Sequence, residues 1–288
     1  MAQVKAIACE LPRERGVPLS RFSRAELHRL VIEQGVTDAS ASTVARWLSE
    51  DAIRPWQHRS WVFPRDPRFL EKAGPVLDLY ERRWEGELLH PGDFVICADE
   101  KTQIQARRRA YPSAAPGPGR AARVEHDYDR GGALCYLAAW DVHRGRLMGR
   151  CETQTGIVPF GRLVEQVMTA EPYARARRVF WIVDNGSSHR GQVSADRLAS
   201  EWPNLVLAHL PFYASWLNQI EIVFSVIQRK VLTPNDFASL QAVVDRLDTF
   251  EHHYNQIAEP FQWNFTRHHL ADLIARVGHH EPRLRLVA

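Results

Sequence analysis

Between residues 20 and 52 the apolar positions return at the spacing of a helix. Ser23 and Glu26 form a capping-box pair, Leu27, Leu30 and Val31 make one stripe, and Gly35 is placed to end it. In SASTVARWLSEDA, Val44, Trp47 and Leu48 share a face while Thr43, Arg46 and Ser49 lie off it. Two short helices, the second opened by small polar residues, give the outline of a helix-turn-helix; an ordinary helix pair reads the same way. Prolines at 55, 64 and 67 mark a boundary near 60 to 68. FLEKAGPVLDLYERRWEGE predicts a linking helix over about 75 to 85.

From residue 93 the rhythm changes to that of strands. DFVICADE reads as a short buried strand ending in acid, ALCYLAAWDV as a longer one, and RGRLMGRCE as a third, with Gly145 in the turn between them. GIVPFGRLVEQVMTA is helical in its latter half. ARRVFWIVDN and PNLVLAHL supply a fourth and fifth strand with a helix between them. The chain is then helical at 216 to 231, about 236 to 257 and about 266 to 277. A three-strand meander followed by alternating strands and helices predicts an α/β fold: a mixed five-stranded sheet flanked by helices, preceded by a small all-α unit.

Composition narrows this only slightly. The 288 residues are 45% hydrophobic and 25% charged, as in soluble globular chains. No apolar run approaches the roughly 20 residues of a membrane span, and MAQVKAIACELPRERG lacks a signal-peptide core. Cys9, Cys97, Cys135 and Cys151 show no CxxC spacing and read as reduced thiols of a cytosolic protein. The paired histidines at 252–253, 268–269 and 279–280 are about 100° apart on a helix and chelate poorly.

Net charge is +3, too small to point to nucleic acid, but its distribution is uneven. Residues 101 to 130 hold seven Lys/Arg against three Asp/Glu, among them Arg107, Arg108 and Arg109. Such a strip can hold phosphates or be a solvated loop. Within it YPSAAPGPGR is a loop of low structural content. In IRPWQHRSWVFPRDPRF, Arg54 and Arg59 interleave with Trp56, His58 and Trp61. That pattern suits an arm on a nucleic-acid backbone, or a linker whose tryptophans dock on a neighbouring domain.

Two strands run from apolar residues into acid: Asp99 after FVICA and Asp184 after FWIV. Asp-Asn-Gly-Ser is ordinary turn chemistry, so the second has a plain explanation. If the two strands are neighbours, however, both carboxylates leave the sheet at one edge. A third acid, Glu221, lies about 90° round from the stripe formed by Leu217, Ile220, Phe224, Ile227 and Val231. Three converging carboxylates repel unless a cation joins them, and an all-oxygen donor set suits Mg2+ or Mn2+. Two such ions about 3.5–4 Å apart are the usual apparatus for attacking a phosphodiester. Glu100 follows Asp99 directly and belongs on the opposite face of the strand.

ADEKT, VDNGSSHR and ASWLNQIE resemble the three catalytic blocks of the IS630 group of transposases, within the IS630/Tc1/mariner superfamily. The resemblance extends through STVARWL, RPWQHRSWVFPRDP, ARVEHDYDRGGALCYLAAWDVHRG and RKVLTPNDF, nearly the whole chain. It implies an RNase H-like fold with a DD[E/D] triad at Asp99, Asp184 and Glu221, the last two having 36 residues between them. These three would be catalytic residues and ligands of two Mg2+ or Mn2+ ions. Asn185, His189 and Asn218 would support them. Ser42, Thr43, Arg46, Arg54, Arg59, Arg107, Arg108 and Arg109 are the candidate DNA contacts.

The resemblance also implies three regions: a helix-turn-helix, winged-helix-like unit over 1–65, a linker helix over 66–90, and a catalytic domain over 91–280. The implied function is cleavage at the inverted repeats of an insertion sequence and transfer of the freed 3′-hydroxyl into duplex target DNA, usually at TA. The implied state is a cytoplasmic homodimer on DNA in the bacterial nucleoid, without a membrane role. Members of the group usually begin with a further helix-turn-helix. MAQVKAIACELP resembles the middle of a typical member, so the DNA-reading module is expected to be truncated. Two other readings are a DNA-binding remnant that does not cut and a nuclease of the same fold acting on RNA–DNA hybrids.

Overall fold

The computed structural model describes residues 1–58, 66, 68–186 and 192–280, apart from the side chains of 192–195 and 277–280. Two units divide the chain, Met1–Phe63 and Pro64–Ala288.

In the first unit, the Ser23 hydroxyl accepts the Glu26 N–H, and the Glu26 carboxylate accepts the Ser23 N–H at 2.7 Å. This reciprocal cap starts the helix Arg24–Glu33. Ser40 caps a second helix, Ala41–Glu50, by accepting the Thr43 N–H. The sequence reading missed a helix at Ala2–Ala8, which is too short to show a period. In chain order these are α1 (Ala2–Ala8), α2 (Arg24–Glu33) and α3 (Ala41–Glu50). Val4, Ile7, Phe22, Leu27, Val31, Val44 and Leu48 close a small core among them.

The second unit opens with α4 (Phe69–Tyr80) and a two-stranded ribbon, β1 (Arg83–Trp84) and β2 (Glu87–Leu88). The helix starts six residues before its expected position and holds Pro75 in its interior. Burial of Phe69, Ala73, Val76, Leu77 and Leu79 outweighs the one backbone hydrogen bond that proline removes. The main sheet contains β3 (Asp93–Arg108), β4 (Asp129–Asp141), β5 (Arg146–Glu152), β6 (Arg178–Val183) and β7 (Leu205–His209). Its order is β5-β4-β3-β6-β7, with the first three antiparallel and β3, β6 and β7 parallel. This is the RNase H-like arrangement. Gly145 turns β4 into β5 with φ 64, where a side chain would be strained.

Helices cover both faces. α4, α7 (Ile220–Lys230) and α8 (Leu240–Ile257) pack on the face of Val95, Cys97, Tyr136, Ala138, Phe180 and Ile182. Leu270 of α9 (Arg267–His280) joins that core. The opposite face, with Ile96, Ala98, Leu137, Ala139, Val179 and Trp181, is covered by α5 (Ile157–Met168) and by Leu198 of α6 (Gln192–Glu201). The segment expected to be half helical is helical throughout α5. Among the described residues, no helix is long and apolar enough to cross a membrane.

Candidate active site

The positions of the two aspartates are set six residues upstream. Asp93 and Arg178 are register partners at the start of β3 and β6, and their side chains form an ion pair at 2.8 Å. Burial opposes ionisation of Asp93, yet Arg178, the His90 N–H and Arg177 hold its carboxyl below the ordinary value. The parallel pairing then runs to Cys97 and Ile182. Asp99 and Asp184 each lie two residues beyond that last pair, so they emerge level with each other.

Asp99 does not end its strand. β3 continues to Arg108, because on its other side it stays paired with β4, where Asp99 lies opposite Ala138. The ladder shifts register between Lys101 and Ile104, where Gln103 has φ 57. Asp99 is therefore a mid-strand residue, held by β4 and open where β6 has finished. The Glu100 N–H donates to Asp99 Oδ1 at 2.8 Å. β6 does stop before Asp184, whose Oδ1 accepts the Gly186 N–H at 2.7 Å. The turn chemistry is thus real, and it fixes the carboxylate in place.

Glu221 comes from the first turn of α7, where the helix dipole favours an anion. Two buried hydrogen bonds dock the start of that helix beside Asp99. Asn218 Nδ2 donates to the Ala98 carbonyl at 3.1 Å, and the Tyr80 hydroxyl donates to the Leu217 carbonyl at 2.7 Å. Tyr80 also contacts Cys97 Sγ at 3.2 Å.

The electrostatics show that the acids share one environment. Burial pushes the Asp99 carboxyl up to about 8, and the charges of Asp184, Glu100 and Glu221 act in the same direction. Burial also raises Glu221; Lys101 opposes that shift and Asp184 adds to it. Such strain on carboxylates is characteristic of sites kept for chemistry. Among the described residues, no three His, Cys, Asp or Glu side chains already surround a point where an ion could sit. The carboxylates are neighbours in charge rather than a closed cage.

Of the expected supporting residues, Asn218 docks α7, and Asn185 Nδ2 donates to the Leu210 carbonyl at 2.7 Å, tying the end of β6 to the end of β7. His189 and Arg59 lie outside the described residues. In the first unit, Ser42 and Thr43 hydroxyls are both 3.0 Å from the Ser40 hydroxyl, while Arg46 and Arg54 are exposed. Arg108 pairs with Asp129 at 3.2 Å. Arg107 and Arg109 both lie over the Tyr128 ring, at 4.6 and 5.0 Å. Arg109 also donates to the carbonyls of Glu125, His126, Asp127 and Asn235. Lys101, Tyr80 and Asp93 were not singled out as site residues. Lys101 could have been, since it is two residues beyond Asp99 on the same strand; nothing local marks the other two.

The chain matches the DDE superfamily endonucleases over residues 94–244, a span that includes Asp99, Asp184 and Glu221. No match was found among curated proteins. Among solved structures, it is similar to the Mos1 mariner paired-end complex with Mn (TM-score 0.50, 19% identity, covering 83% of this chain and 75% of that one). A pre-cleavage Mos1 transpososome gives a TM-score of 0.50 at 18% identity, with the same coverage of 83% and 75%. Those likenesses confirm the fold, and the family match covers more than half of the sequence: the chain belongs to the DDE superfamily endonucleases.

Proposed function

We propose that the chain is the DNA transposase of an IS630-type insertion sequence, with Asp99, Asp184 and Glu221 as its catalytic residues. The observation that carries this reading is the level emergence of the two aspartates from β3 and β6, with Asp184 and Glu221 both close enough to perturb Asp99. The solved Mos1 assemblies, a paired-end complex and a transpososome, support duplex element ends as the partner. The proposal extends to a homodimer on two ends, to TA-containing target DNA and to the cytoplasm of a bacterium.

The donor set fits Mg2+ or Mn2+. All three groups offer only oxygen, and two of them are held above their ordinary pKa, so a cation would relieve a strain already present. One or two such ions would supply Lewis-acid polarisation of the phosphodiester and a nucleophile at neutral pH. The chain itself fixes the carboxylates: Asp99 through β4, Asp184 through its turn, Glu221 through Asn218 and Tyr80. In the first unit, α3 would face a DNA groove with Ser42, Thr43 and Arg46, and Arg54 would contact a phosphate.

Asp184→Asn keeps the turn shape but removes a ligand charge. It is expected to lower cleavage of an element-end duplex by on the order of a thousandfold while leaving binding to that duplex unchanged. Undiminished cleavage by this variant, or full activity in chelator, would contradict the reading.

A further inference from the structure

Beyond Cys97 no strand pairs with β3 on its β6 side. From Gln105 a loop takes that side instead. Asn235 Nδ2 donates to the Gln105 carbonyl at 2.7 Å, Asn235 Oδ1 accepts the Arg107 N–H at 3.0 Å, and the Phe237 N–H donates to the Arg107 carbonyl at 3.2 Å. Between the catalytic acids and this loop the strand borders a cavity of about 250 Å3, whose far wall is Gln228 of α7 and Leu232 just after it. Its lining along β3 runs from Lys101 to Arg107, up to roughly 20 Å of strand. The cavity is therefore a trough, longer than one small anion needs.

The charge of this trough is one-sided. Among the described residues its lining holds Lys101, Arg107 and three glutamines, and no carboxylate. Lys101 leaves β3 on the face of Asp99, about 7 Å further along the strand. Burial disfavours its charge and the nearby Glu221 favours it. No hydrogen bond or ion pair ties up its ammonium among the described residues. Arg107 Nε is buried without a hydrogen-bond partner among them, although the guanidinium lies over the Tyr128 ring at 4.6 Å. A buried cationic donor left unpaired is costly, and it suits an acceptor that arrives from outside. Gln103, between the two cations, is exposed and has φ 57, a left-handed backbone that a non-glycine residue adopts at a cost. Backbone strain at such a place is a reason to look for function.

We infer that this trough holds the phosphodiester backbone of a DNA strand on its way to the catalytic acids, with Lys101 and Arg107 each taking a phosphate. The inference rests on the transposase reading and deepens it by giving the strand a path. Two cations at opposite ends of one trough suit a chain of phosphates better than a single anion. The glutamines between them offer neutral donors to the same oxygens. Contacts of this kind position a strand without reading its sequence. Past Arg107 an adjoining cavity of about 430 Å3 is lined by Glu125, so the acid-free stretch ends there.

The test measures the affinity of the full chain for a labelled duplex of mixed sequence, in chelator, over a series of salt concentrations. Lys101→Gln and Arg107→Gln are each expected to make the dependence of log affinity on log salt shallower by about one, and the double variant by about two. Gln103→Lys adds a cation at an exposed position and is expected to steepen it by about one. That variant keeps the test decisive if either removal fails to fold. Arg108→Gln, outside the trough, should leave the slope alone. The trough is overturned if the folded removal variants keep the wild-type slope, if Gln103→Lys does not steepen it, or if Arg108→Gln lowers it as much as they do. Inorganic phosphate that raises the melting temperature of wild type but not of the double variant, with equal DNA slopes, would make the trough a site for a free anion and overturn the strand path. A wild-type chain that binds no duplex overturns the transposase reading, and this inference with it.

Discussion

Arg107, Arg108 and Arg109 are three adjacent cations; Asp99, Asp184 and Glu221 are three anions brought together by the fold. Within the arginine run, Arg109 is tied up by the protein itself, while Arg108 stays largely exposed. Arg109 donates to four backbone carbonyls, Arg108 pairs with Asp129, and Arg107 and Arg109 share the Tyr128 ring. Two of the carboxylates receive the opposite treatment: Asp99 and Glu221 are pushed upward by burial, and the Asp184 charge adds to both shifts. Charge density along the sequence is therefore a poor guide to which cations the fold ties up. The informative feature is where the fold leaves charge under strain.

This contrast can be broken in three ways. The largest effect is expected at Arg109. Arg109→Ala strands several carbonyls and should destabilise the second unit by about 2–4 kcal/mol, read as a fall in melting temperature. The slope of DNA affinity against salt should stay as it was. A variant of normal stability with a shallower salt slope would make Arg109 a phosphate contact instead.

The next effect separates burial from clustering. Glu251 is a half-buried acid of α8, outside the triad, that accepts the Gly149 N–H at 2.8 Å and lies 3.4 Å from the Tyr136 hydroxyl. Burial pushes its carboxyl up to about 7, with Asp248 adding and the Gly149 N–H opposing. Its folded pKa is above the unfolded one, so the folded state keeps a proton that the unfolded state has lost. The stability this supplies is full below about 4.5, falls as pH rises through 7, and is then level. Glu251→Gln should flatten that fall and melt a few degrees above wild type at pH 8. Parallel melting curves for the two proteins across this range would contradict the assignment.

The smallest effect is expected in the first unit, where Arg46 and Arg54 are exposed. Arg46→Ala should leave the melting temperature unchanged and reduce the salt slope of DNA binding by about one. An unchanged slope would remove α3 from the DNA interface.

What the sequence made legible follows from how local each cause is. The cap of α2 rests on two residues three apart, and it was plain. The flank position of Glu221 follows from helical period alone. The strand at FVICA was also plain, but its continuation past Asp99 was not, because β4, some twenty to forty residues on, supplies the pairing. The linking helix was expected from about residue 75, and burial of the turn before Pro75 extends it back to Phe69. The docking of α7 by Tyr80, a residue 137 positions from its partner Leu217, left no trace in the local pattern. Arg109 read as a cation for DNA for the same reason: its carbonyl partners are 16 to 18 and 126 residues away.

The central claim is that three carboxylates, two of them held above their ordinary pKa, form one cation site. Melting curves of wild type and Asp99→Asn, each in chelator and in Mn2+, test it most directly. In chelator above pH 8, where the Asp99 carboxyl is ionised, Asp99→Asn should melt above wild type, because a buried charge and its repulsions are gone. Added Mn2+ should raise the wild-type melting temperature by several degrees, in line with an effect of about 2.7 kcal/mol at a hundredfold excess over the dissociation constant, and leave the variant nearly unmoved. An equal Mn2+ shift in both proteins, or none in wild type, would contradict the account.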